Sequence, residues 1–181
     1  SIICIRNNTS QITLLKSTPV NISTLDCTDI LWQQSCRYLG IHIVAGRVFS
    51  CSLDNAKRSF YRAFNAVYCK IGGVASEEVV LHLVKSKCMP LLLYGTEAIP
   101  IKKAQIRSVE YAITCCLMKL FKTKSKEIVC ECMSFFNFCD FSTCVVRRKR
   151  KFLLKFVANF WRNELCCVFV DVAKAELNSL R

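Results

Sequence analysis

Residues able to do chemistry are few in this chain, and they do not converge. There are 2 histidines in 181 residues, His42 and His82. Neither has a neighbour at a spacing that marks a nucleophile with its base. The acidic residues number 13. They are scattered, and the adjacent pair Glu77-Glu78 sits where it would stabilise a helix start. Two-metal phosphoryl transfer needs carboxylates that converge on paired Mg²⁺ ions, and Asp26, Asp29 and Asp54 show no such grouping. The sequence has no phosphate loop, G-x-S-x-G or H-E-x-x-H. Taken alone, the chain reads as a binder, not a catalyst.

Cysteine is the next reactive type, with 14 in the chain. Disulfide scaffolds are short and loop-rich, whereas this sequence has long helical patterns with its cysteines in apolar runs. The expectation is reduced, buried thiols in an intracellular protein, cytoplasmic or nuclear. Cys130, Cys132, Cys139 and Cys144 form one cluster, spaced C-x-C, six residues, then C-x4-C. It lacks the paired C-x2-C knuckles of common zinc modules, so structural zinc is the weaker reading. Charge says more. Lysine and arginine total 26, which leaves a net charge of +13. An excess of that size favours an anionic partner, most commonly nucleic acid. The candidate contacts are Lys57, Arg58, Arg62, Lys85, Lys87 and the block Arg147-Arg148-Lys149-Arg150-Lys151. For that block a nuclear-localisation role or a plain solvated surface is also open, and lysines at helix C-termini are common for dipole reasons.

The elements that position these residues follow from periodicity. Apolar residues make up 52% of the chain, enough for a core and too many for disorder. Short β runs are expected at 2–6, 11–16, 20–22 and 30–32. A main hairpin is expected at 36–44 and 47–52, turning at Ala45-Gly46. Asp54 is a good N-cap for a helix over 55–71. Ala56, Phe60, Ala63, Phe64, Val67 and Ile71 lie on one face, and Arg58, Arg62, Asn65 and Cys69 lie on the other. Gly72-Gly73 should end that helix. Ser76 should cap a second helix over 77–88, which Pro90 interrupts before a short buried turn at 91–94. Pro100 opens a third helix over 102–122. Further helices are expected at 125–134 and 142–163, the last with a core stripe of Phe152, Phe156 and Phe160, followed by an apolar run at 166–170 and a polar tail. The four central helices should form one bundle. The fold class is α+β. Short N-terminal strands and a hairpin occupy 1–53, and a mostly helical, bundle-like part occupies 54–181. No apolar run is long enough to span a membrane; the best candidate, 89–101, contains Glu97 and prolines. The chain opens at Ser1 directly in a β-type run, which reads as a cut through a longer protein.

The residues around and after the hairpin carry a resemblance. Ser35-Cys36-Arg37-Tyr38-Leu39-Gly40-Ile41, followed by a Gly-Arg turn, is similar to the segment after the catalytic strands in reverse transcriptases of non-LTR (LINE-type, jockey-like) retrotransposons. The similarity continues through Asn55-Ala56-Lys57-Arg58-Ser59-Phe60-Tyr61-Arg62-Ala63-Phe64-Asn65 and Ala75-Ser76-Glu77-Glu78-Val79-Val80. It ends in Ser86-Lys87-Cys88-Met89-Pro90-Leu91-Leu92-Leu93-Tyr94-Gly95, a fairly specific run. Coverage is good over 36–122, thinner before it and weak after 130.

This resemblance implies an architecture and a role. Tyr38, Leu39 and Gly40 would form the primer grip at the end of the palm, and the helices from Asn55 onward would be the thumb. The chain would then be the C-terminal part of an RNA-directed DNA polymerase. Its partners would be an RNA template, a DNA primer and the upstream palm, with no membrane. The family's Tyr-x-Asp-Asp turn and its upstream aspartate are absent, so Mg²⁺ would belong to the complete polymerase and no cofactor to this chain. The alternative is a basic helical protein-interaction module or an inert retrotransposon remnant.

Overall fold

The two-residue turn Leu39-Gly40 organises the strands. Both residues have positive φ, 47° and 81°, the signature of a tight hairpin whose twist matches its strands. Gly40 takes this conformation without Cβ strain, whereas Leu39 does not. The turn joins β3 (Ser35–Tyr38) to β4 (Ile41–Val44), with Tyr38 opposite Ile41. β5 (Ser50–Ser52) adds to β4 antiparallel, with Ile43 opposite Cys51. The expected single strand over 36–44 is therefore two, and the sheet is a three-stranded meander. The apolar-looking Leu39 hid an X-Gly turn that an asparagine at that place would have announced. Upstream, β1 (Ile22–Ser23) and β2 (Asp29–Ile30) form a separate antiparallel pair. This computed structural model describes residues 22–23, 29–30, 33–46, 49–159 and 167–180. The strands expected at 2–6 and 11–16 lie outside the described residues, as does Asp26.

The chain divides into two compact units, one ending at Ser52 and the other beginning at Leu53. Within the first, the register places Cys36, Ile43 and Cys51 on one face of the meander. Cys51 is buried, and burial with Cys36 beside it pushes its thiol pKa up.

The second unit is helical. α1 (Asp54–Ile71) buries Phe60 and Phe64 completely, stacked at 6.5 Å. It contacts α2 (Glu77–Leu83) and α3 (Met89–Leu93) as well as α4 (Lys103–Leu120). α4 answers with Val109, Ile113, Leu117 and Leu120, all buried. Each such side chain contributes about 1.5–3 kcal/mol by leaving water. α5 (Lys126–Phe135) has Ser125 as its cap, whose hydroxyl accepts from the Ile128 N–H at 3.3 Å. α6 (Phe141–Asn159) packs on α3 and α4 and, further along, on α7 (Val170–Ser179). The class is thus α+β and mostly helical.

Several local expectations change. The helix expected over 77–88 does not stop before Pro90. It passes through a π-helical turn, Val84–Cys88, and runs on into α3. The Met89 N–H reaches back to the Val84 carbonyl, five residues earlier. A regular α-turn would drive the proline ring into the carbonyl four residues before it, and the wider turn relieves that. Leu92 and Leu93 are buried as expected of the 91–94 run, but Leu91 and Tyr94 are exposed. Gly95, at φ 71°, ends it. Ser76 stands at the N-cap position of α2 without a side-chain cap bond. Asp54 lies inside α1, not before it, bonded to Lys57 at 2.9 Å.

α6 does not bury the stripe expected. Phe141, Val145 and Leu153 are buried, while Phe152 is 42% exposed and Phe156 half-buried. Phe160 lies outside the described residues. The expected polar tail instead forms α7. It packs on α6 with Val170 and Ala173 buried and joins Lys149 to Glu176.

Candidate nucleic-acid interface

The outer face of α1 is set by the inner one. At 100° per residue, a helix that buries Phe60 and Phe64 must turn Arg58 and Arg62 away. Both are exposed, one turn apart, and neither has an ion-pair partner among the described residues. Asn65 and Cys69 continue the same exposed face.

The other basic candidates sort by what holds them. Lys57 bonds Asp54 and also donates to the Ser108 hydroxyl at 2.9 Å, tying α1 to α4. Lys85 donates to the Phe136 carbonyl at 2.7 Å and lies 5.7 Å above the Phe138 ring, pinning the π turn to the α5–α6 loop. Arg148 faces Glu97 at 3.6 Å. That carboxylate oxygen is buried with no hydrogen bond among the described residues, so the guanidinium compensates it by charge. Lys149 bonds Glu176, and Arg147 points at the Cys139 sulfur at 3.8 Å. Lys87 is exposed, as are Arg150 and Lys151 at the end of the basic block. Tyr38 and Leu39 are 63% and 71% exposed at the tip of the meander, with Gly40 exposed beside them.

Between α1 and α4 lies a depression of about 320 Å³, lined by Asp54, Lys57, Arg58, Tyr61, Ser108 and Tyr111. Tyr111 is 72% exposed. A hydrogen bond to the Cys115 thiol one turn on holds its phenol pKa above the ordinary value. Burial, with Cys116 and Cys115 nearby, raises that of Tyr61 as well. Tyr111 was not singled out from the sequence, although a signal existed. The apolar stripe of α4 leaves it on the far side, roughly 160° from Ile113, where an aromatic ring is out of place for packing.

The cysteines are less buried than expected. Cys51, Cys88 and Cys116 are buried, and burial above all pushes Cys116 up to about 12. Cys69, Cys130 and Cys139 are exposed. Cys130 and Cys132 sit roughly 200° apart around α5 and cannot face one ion together. Cys139 lies beside Cys144. Among the described residues no group of three or more His, Cys, Asp or Glu side chains is arranged to hold a metal. His82 lines a second depression, of about 400 Å³, with Val79 and Phe136. No described hydroxyl, thiol or carboxylate is bonded to it or to His42.

No family model, no curated protein and no solved structure matches this chain. No helix among the described residues is long and apolar enough to cross a membrane.

Proposed function

We propose that this chain is the primer-grip and thumb part of a non-LTR retrotransposon reverse transcriptase, and that its work is to seat the RNA template and DNA primer. The observation that carries this reading is the exposed pair Arg58 and Arg62 on α1, in a chain of net charge +13. Two guanidinium groups one helical turn apart can bind successive phosphates without reading sequence, as a copying enzyme requires. Lys87, Arg150 and Lys151 extend the exposed positive charge, whereas Lys57, Lys85, Arg148 and Lys149 already serve the fold. The turn at Tyr38-Leu39-Gly40 supports the grip role by presenting an aromatic and an apolar side chain in solvent.

Nucleotide addition would fall to a palm with its own aspartates and Mg²⁺. Among the described residues the carboxylates do not fit that metal. Asp54 is committed to Lys57, and no other described carboxylates converge.

The test is binding of an RNA–DNA hybrid across a salt series. The logarithm of affinity should fall linearly with the logarithm of salt concentration. Arg58→Ala with Arg62→Ala should weaken binding equally for all sequences and flatten the slope by about 2, at roughly 0.9 per lost phosphate contact. An unchanged slope would remove this surface from the proposal. Exposed Phe135 and Val79 favour a second reading, a protein-interaction module. No measurable hybrid binding even at low salt would select it.

A further inference from the structure

We infer that the depression between α1 and α4 is a subsite for one unpaired nucleotide, with Tyr111 as the stacking platform for its base and Arg58 as the anchor for its phosphate. The inference rests on the nucleic-acid reading above and adds a preference for an unpaired strand.

Four observations carry it. The first is that Tyr111 exposes 72% of its surface on a helix whose core face is elsewhere, so packing does not explain the ring. The second is charge. Asp54 and Lys57 neutralise one another at 2.9 Å, so the guanidinium of Arg58 supplies the local positive charge. The third is rigidity. Lys57 also bonds Ser108 at 2.9 Å, and this clasp fixes the spacing of the two helices that form the walls. The fourth is size. About 320 Å³ is at the small end of ligand pockets and suits one nucleotide unit.

A base in a duplex is stacked on its neighbours and cannot turn its face to a protein side chain, whereas an unpaired base can. The phosphates of a duplex can still reach Arg58. The site therefore distinguishes the two forms through Tyr111 and not through charge.

The experiment compares the full chain with its Tyr111→Ala and Tyr111→Phe variants. Each is titrated into a fluorescent oligothymidylate and, separately, into an RNA–DNA hybrid. Loss of one stacked base should weaken oligothymidylate binding by roughly 5- to 150-fold in Tyr111→Ala. Hybrid binding should be unchanged, and Tyr111→Phe should keep the affinity for the single strand, since the ring does the stacking. If Tyr111→Ala binds the oligothymidylate as the parent does, the subsite is wrong while the duplex reading stands. Equal weakening of both probes also overturns it, because a general loss of charge or fold is then the cause. If the parent binds neither probe, the subsite and the proposed function fall together.

Discussion

Asp140 has the clearest single-residue consequence. Its carboxylate accepts from the Ser142 hydroxyl at 2.5 Å, and its backbone carbonyl accepts from the Cys144 N–H at 3.2 Å at the start of α6. Hydrogen bonds to the carboxylate, from Ser142 first and then Thr143, hold its pKa below the usual carboxylate range against the opposing effect of burial. A folded-state value below the unfolded one means the stabilisation is present above the unfolded pKa of about 3.9 and lost as pH falls through the folded value. Asp140→Ala should cost about 1 kcal/mol at neutral pH, as for other helix caps. The gap between variant and parent should close in acid. Urea midpoints at both pH values check this, and a penalty that does not change with pH would show that the carboxylate charge is not what holds the helix start.

At the scale of the element, the end of α1 depends on the absence of a side chain at Gly72. Its backbone is ordinary, at φ −65°, so left-handed geometry is not the reason for glycine. A Cβ there would sit 2.5 Å from the Tyr68 carbonyl oxygen and 2.7 Å from the Tyr68 ring. The ring has little room to yield. It stacks on Phe64 at 5.8 Å and lies under the Lys119 ammonium at 4.8 Å. Gly72→Ala should therefore destabilise the helical unit by about 1–3 kcal/mol, in the range of other overpacked sites, and lower its thermal midpoint. A midpoint equal to the parent's would mean that the final turn relaxes around the methyl group.

At the scale of the molecule, α7 packs along α6 with Val170 and Ala173 buried. Ala173 is 6% exposed, so a charge at 173 would be driven out of its buried setting. Ala173→Asp should release α7 while α1 and α4 keep their packing around Phe60 and Phe64. Native-state proteolysis should then cut near α7 roughly 10-fold faster or more, corresponding to about 1.4 kcal/mol of undocking. If the whole helical unit instead becomes equally sensitive, α7 is part of one cooperative block.

Alternation and helical period in the sequence by themselves determined much of this protein. They established the α+β class, the span of α1, and the outward direction of Arg58 and Arg62, because a helix that buries Phe60 and Phe64 has only one remaining side. Composition likewise determined the net charge. What only the tertiary structure decided depends on neighbours distant in the chain. Leu153 is buried and Phe152 exposed on α6, a helix on which α7 packs from further along the chain. Lys85 and Arg148 serve the fold because the Phe136 carbonyl and Glu97 come to meet them from 51 residues away in each case. The depression beside Tyr111 exists because Lys57 clasps Ser108 across the same separation. Spacing along one element records which side of it faces inward; it carries no record of which partner arrives, and for charged and aromatic side chains the partner determines whether the group belongs to the fold or is left for a ligand.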